Sequence, residues 1–306
     1  MSEEVEKKLK KIPGLSWFVK KAKKVILPGL EGLSLYDLWE IYSVGIIKGT
    51  FSTRAGSIAF SFFMAIFPFL LFILNLIPYV WFIDDFQLQV LVFMDTLLPP
   101  QTSEFFNEIF ADIVNTPRAG LLSFTFFLSI FLMTNGINAI FTGFEFSYHT
   151  TINRSIVRQY LVALGTSIII ALMLLFAVIA FVYLTYIIED LKAIGIFSDN
   201  LYWAKMGRYL VFILLIYNAV ATLYYFGTKE GRNSRYFSVG AFFTTLLIML
   251  TTFLFSIYIE NFSTYNKLYG SIGALLILMV YIWLNANILL LGFELNASIN
   301  RLKQNF

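Results

Sequence analysis

The sequence predicts an all-α, polytopic membrane protein with six transmembrane helices and both termini in the cytoplasm. Three observations carry that prediction. The chain is 58% hydrophobic and only 13% charged, whereas a soluble domain carries charge at about a quarter of its positions. Six stretches of twenty or more residues contain no Asp, Glu, Lys or Arg: 55–83, 119–144, 159–188, 209–228, 236–259 and 268–293. Each can cross a hydrocarbon core of about 30 Å, which takes about 20 helical residues. The third observation is the placement of Lys and Arg. With the N-terminus inside, seventeen basic residues fall on the cytoplasmic side and five on the other, an asymmetry that sets orientation. The runs are continuously apolar and do not alternate, so they read as helices and not as barrel strands.

Residues 1–53 form a cytoplasmic basic and amphipathic segment, with Lys pairs at 7–8, 10–11, 20–21 and 23–24. Ser34 followed by Asp37 resembles a capping box, and Leu38, Trp39, Tyr42 and Ile46 recur at helical spacing. This predicts a helix on the inner leaflet, with the lysines drawn to anionic lipid. The opposing interpretation is a solvated tail. The membrane domain then runs over 54–297, with spans at about 55–80, 119–145, 160–187, 208–227, 236–259 and 268–296. A cytoplasmic tail follows at 298–306.

The first span is rich in small residues: Ala55, Gly56, Ser57, Ala59, Ser61 and Ala65. Pro68 then removes a backbone hydrogen bond, and broken helices often line transporter sites. Between the first two spans lies an external amphipathic segment, 84–117. It mixes Asp84, Asp85, Asp95, Glu104, Glu108 and Asp112 with Leu88, Phe93, Phe105, Phe106 and Phe110, and Pro99 and Pro100 divide it.

Polar residues inside the spans are the candidate site. Asn135, Asn138, Thr142 and Glu145 share one face of the second span. The fourth offers Asn218, Thr222 and Tyr225; the fifth Ser238, Thr245 and Thr252. In the sixth, Tyr281, Asn285, Gly292 and Asn296 share one face, while Asn287 and Glu294 lie on another. Amides facing lipid are costly, so these stripes predict a polar interior in which Asn138, Asn218 and Asn285 line one cavity. The competing account is hydrogen bonding between helices. Arg54, Glu145 and Glu294 all fall near the inner interface, and we expect Arg54 to pair with one or both carboxylates there.

Several chemistries are excluded. The chain has no cysteine and a single histidine, His149, so thiolate and His-cluster metal sites, disulfides and cysteine nucleophiles cannot form within it. The expectation is no cofactor, no metal, no catalytic residue and no nucleic-acid partner. No cleavable signal is apparent, so the mature protein is expected to be the whole chain.

Two segments go further. Residues 54–74, RAGSIAFSFFMAIFPFLLFIL, and 257–297, IYIENFSTYNKLYGSIGALLILMVYIWLNANILLLGFELNA, strongly resemble the YihY/BrkB family. The most specific parts are Asn261, Tyr265 and Asn266, then Tyr269, Gly270 and Gly273, then Glu294 and Asn296. The resemblance implies a six-span protein of the bacterial inner membrane whose activity is not established. That family long carried a ribonuclease label. A zinc-dependent nuclease needs several His and Asp ligands, and one histidine cannot supply them. The expected function is transport or flipping of an amphipathic envelope molecule such as a lipid or lipid-linked precursor. Three spans followed by three would suit an inverted repeat. The rival is a scaffold that binds membrane lipids and envelope-biogenesis proteins. A lipid enzyme ranks third, for want of an acid/base pair.

Overall fold

The structure, a computed structural model, describes residues 34, 36, 50–76, 92, 119–145, 155–193, 200–228, 235–261 and 271–304. These residues build six helices: α1 Thr50–Leu76, α2 Ala119–Glu145, α3 Ile156–Ala193, α4 Asn200–Gly227, α5 Val239–Asn261 and α6 Ser271–Gln304. Five of them contain a stretch long and apolar enough to cross a membrane: Ser123–Glu145, Ile156–Phe181, Tyr209–Gly227, Val239–Ile259 and Leu275–Ile299. The helix α1 coincides with most of the first predicted span and continues through Pro68, which is buried.

Local chemistry sets the helix ends. The backbone N–H of Ala241 donates to Ser238 Oγ at 3.2 Å, so Ser238 is an N-cap that satisfies one of the orphan donors of the first turn. This explains why α5 begins at Val239 and not at 236. The helix α6 runs on to Gln304, through most of the stretch expected as a tail. At 1.5 Å per residue α3 is about 57 Å long and α6 about 51 Å, each well beyond the hydrocarbon thickness. The external segment 84–117 lies outside the described residues apart from Val92. So does the interfacial helix of the N-terminal segment, apart from Ser34 and Tyr36, which are buried.

Each helix packs against the next in the chain, and α6 returns to α1, closing a ring; α2 additionally touches α4 and α6. The core lies where α1, α2, α4 and α6 converge, around Ala55, Ile58, Phe141, Phe144, Tyr224, Leu290 and Phe293. Small residues permit this convergence. A Cβ on Gly143 of α2 would sit 3.0 Å from Leu290 of α6 and 3.3 Å from Ile58 of α1. Phe60, Phe176, Phe242, Leu246 and Phe253 are exposed on the outside. Such apolar exposure is the expected outer surface of a bundle solvated by lipid.

Candidate functional site: two polar seams and a clamp

The polar face of α2 is turned onto α3. Tyr160 of α3 donates its hydroxyl to Asn135 Oδ1 at 3.3 Å. Gln159 donates Nε2 to Thr142 Oγ1 at 3.0 Å. The hydroxyls of Thr134 and Ser167 meet at 3.2 Å. The opposite face of α2, with Gly136 against Phe62 and Gly143 against Ile58 and Leu290, packs on α1 and α6. Asn138 lies between Asn135 and Thr142 on the α3 side and is half-buried. Its backbone carbonyl accepts from Thr142 at 2.9 Å, while its amide has no hydrogen-bond partner among the described residues. Toward the other end of the helix the same face carries Phe124, Phe127 and Phe131, all more than half exposed.

The polar face of α6 is turned onto α5. Tyr281 and Thr252 of α5 share a hydrogen bond of 2.8 Å, and Thr252 donates to Ile248 O at 2.8 Å. Asn285, one turn beyond Tyr281, donates Nδ2 to Tyr281 O at 2.9 Å. Its Oδ1 is buried and has no hydrogen-bond partner among the described residues. Further along this face a Cβ on Gly292 would fall onto the Thr244 hydroxyl and 2.5 Å from Tyr224 Oη. Across from it, a Cβ on Gly240 would be 2.7 Å from Gly292 O and from Asn296 Cβ.

Between the seams, helices α2, α4, α5 and α6 form a clamp. Tyr224 donates to Leu289 O at 2.8 Å, and its hydroxyl contacts Thr244 Oγ1 at 2.6 Å. Thr244 donates in turn to Gly240 O at 2.8 Å. The ring of Phe144 stacks on Phe293 with centroids 4.1 Å apart, and Tyr224 stands edge-on to both. Each such aromatic pair is worth about 0.5–1.5 kcal/mol beyond burial.

The amides expected to line one cavity therefore face different neighbours. Asn138 lies beside α3 and Asn285 beside α5. Asn218 donates to Leu214 O of its own helix at 2.8 Å, and its carbonyl accepts from Tyr236 at 3.2 Å. No hydrogen bond joins the three. Helix packing distributes these stripes over separate seams. Asn287 likewise bonds back to Trp283 O at 2.8 Å. Arg54 donates Nη1 to Gly143 O at 2.9 Å and lies 4.8 Å over the Phe51 ring. It thus holds the last turn of α2, two residues from Glu145, where a cation favours the helix C-terminus. Glu294 is buried in α6. Of the motif residues, Gly273 and Asn296 are buried and Asn261 ends α5; Tyr265, Asn266, Tyr269 and Gly270 lie outside the described residues.

Tyr224 and Thr244 were missed in the sequence. Each sits beside a residue that heptad spacing favoured, Tyr225 and Thr245. The signal that finds them is glycine: Gly240 stands four residues before Thr244, and Gly292 four before Asn296. Such small residues mark where membrane helices approach closely.

Comparison with known proteins matches residues 45–305 to the family described as virulence factor BrkB. The chain belongs to the virulence factor BrkB family. A relative named ribonuclease-like protein YfkH, from Bacillus subtilis (strain 168), is 26% identical over 258 residues, covering 82% of this chain and 91% of its own. A relative named UPF0761 membrane protein, from Psychrobacter sp. (strain PRwf-1), is 23% identical over 83% of this chain but only 46% of its own. Another of that name, from Idiomarina loihiensis, is 34% identical over 34% of each chain. The chain thus spans less than half the length of these last two. No solved structure matches.

Proposed function

We propose that this BrkB-family protein moves an amphipathic envelope lipid or lipid-linked precursor across the inner membrane. Its headgroup would pass along the α2–α3 seam while its chains stay in the bilayer. One observation carries the proposal: the half-buried Asn138 amide, without a hydrogen-bond partner among the described residues, in a row with Asn135, Thr142, Gln159 and Tyr160. An amide in the hydrocarbon region is costly unless something polar meets it. A passing headgroup and its water meet that need, and the exposed Phe124, Phe127 and Phe131 on the same face suit acyl chains.

The proposal includes the finer topology: six spans with α1 as the first, both termini cytoplasmic, and interfacial helices within 1–53 and 84–117. The domain limits 1–53, 54–297 and 298–306 belong to it, as does attraction of the basic N-terminus to anionic lipid. It also pairs Arg54 with Glu145 or Glu294 at the inner mouth. If Arg54→Glu is never rescued by Glu→Arg at 145 or 294, that pairing is wrong. The nuclease name of one relative is not carried over, because one histidine in 306 residues cannot supply the several His ligands of a zinc-hydrolase nuclease site.

A non-transporting scaffold is the second reading, favoured by the sealed clamp around Tyr224, Thr244 and Gly292. Reconstitution separates the two. In liposomes carrying fluorescent lipids of several headgroups, transport makes inner-leaflet label accessible to an external quencher. Failure for every lipid class favours the scaffold.

A further inference from the structure

The polar atoms that the α2–α3 seam leaves unused describe the headgroup it can meet. Three amides stand close together there, and each keeps a polar atom without a hydrogen-bond partner among the described residues. Asn135 accepts from Tyr160 through Oδ1, which leaves its Nδ2. Gln159 donates Nε2 to Thr142, which leaves its Oε1. Asn138 uses only its backbone carbonyl, which leaves both amide atoms. Exchanging oxygen and nitrogen in Asn135 or Gln159 changes which atom is left over, but not how many. Asn135 and Asn138 are half-buried, and none of these atoms is among the sealed ones that lack a partner. The seam therefore presents unused donors and acceptors together, within reach of what lies beside it.

The row carries no formal charge. Neither 119–144 on α2 nor 159–188 on α3 contains Asp, Glu, Lys or Arg. Charges gather at one end of the seam, at Glu145, at the exposed Arg158 and at Arg54, whose Nη1 is bonded to Gly143 O. A phosphate among the amides would lose its water with no cation to replace it. A quaternary ammonium would find no carboxylate. A hydroxyl donates one hydrogen bond and accepts two, and a side-chain amide offers both kinds of partner at one position. Amides on successive turns thus suit several hydroxyls of one sugar. From Asn135 to Thr142 the row extends about 10 Å along α2. Phe131, Phe127 and Phe124 continue the same face with exposed apolar surface, which suits the chains below such a headgroup.

We propose that the headgroup met by this seam is an uncharged sugar carried on a lipid, as in a glycosyl diacylglycerol. The assignment rests on the lipid-transport reading of the same seam, and its test separates binding from movement. Full-length protein is placed in phosphatidylcholine nanodiscs doped with glucosyl dioleoylglycerol or with dioleoylphosphatidylglycerol. The second lipid also carries hydroxyls, but on an anionic phosphate. The expected result is a thermal unfolding midpoint raised by the glucoside and unchanged by the phosphatidylglycerol. Asn138→Leu removes the rise. An equal rise with both lipids, or none with the glucoside, overturns the assignment. So does a rise that survives Asn138→Leu. Should that variant fail to fold, an undiminished rise in Asn135→Leu has the same consequence. Fluorescent versions of both lipids in liposomes then report translocation. A glucoside that binds without crossing supports the sugar site and ends the transport reading. Equal crossing of both lipids with equal midpoints keeps transport and overturns the sugar site.

Discussion

The clamp of α2, α4, α5 and α6 and the α2–α3 seam are built from similar residues and differ in how completely those residues are used. In the clamp Tyr224 is 1% exposed and Thr244 0%, and both hydroxyls are hydrogen-bonded across or along helices. Glycine brings the backbones so close that no side chain fits between them. In the α2–α3 seam the hydrogen bonds between the helices are side chain to side chain, Asn135, Thr142 and Tyr160 are half-buried, and the Asn138 amide has no hydrogen-bond partner among the described residues. Membrane helices gain little from apolar burial against one another, so close packing and hydrogen bonds hold them. A region using both fully is rigid, while a region with spare polar groups can open at small cost.

Mutations break this comparison at either end. The largest effect is expected for Gly292→Val. Its side chain would collide with Thr244 and Tyr224, and we expect a loss of more than about 4 kcal/mol, beyond ordinary overpacking, seen as absence of folded monomer after detergent extraction. Phe144→Ala removes the ring stacked on Phe293 and should cost about 3 kcal/mol, measured by unfolding in mixed micelles. Tyr224→Phe keeps the ring but strips the hydroxyl bonded to Leu289 O and Thr244, for about 1 kcal/mol in the same assay. Asn138→Leu should change stability by less than about 0.5 kcal/mol while reducing lipid translocation in liposomes. A strongly destabilised Asn138→Leu would place that amide in the structural framework and remove the contrast between the regions.

How much of this was legible follows from what a sequence pattern encodes. The helices follow from uninterrupted apolar runs, and α2 coincides with its predicted span because a lack of charge and a helical period agree there. The faces were legible too: Asn135, Asn138 and Thr142 do share one side of α2, and Tyr281, Asn285, Gly292 and Asn296 one side of α6. Which neighbour each face meets was not legible, since periodicity fixes a direction around one axis and says nothing about the next helix. Arg54 shows the same limit. Its level in the bundle could be read from its position, but its hydrogen bond to the Gly143 carbonyl depends on α1 crossing the end of α2. At Thr244–Thr245 and Tyr224–Tyr225 the spacing rule chose the wrong member of each pair, because the decisive constraint was the glycine on the facing helix.

The absence of cysteine from the chain permits a direct test of whether water reaches the α2–α3 seam. Asn138→Cys and, as a sealed control, Ala163→Cys on α3, which is 0% exposed, would be treated in liposomes with a charged, membrane-impermeant thiosulfonate present on both faces. The account predicts rapid modification at position 138 and none at 163. If position 138 is as unreactive as position 163 while both proteins remain folded, the seam is dry and cannot carry a headgroup.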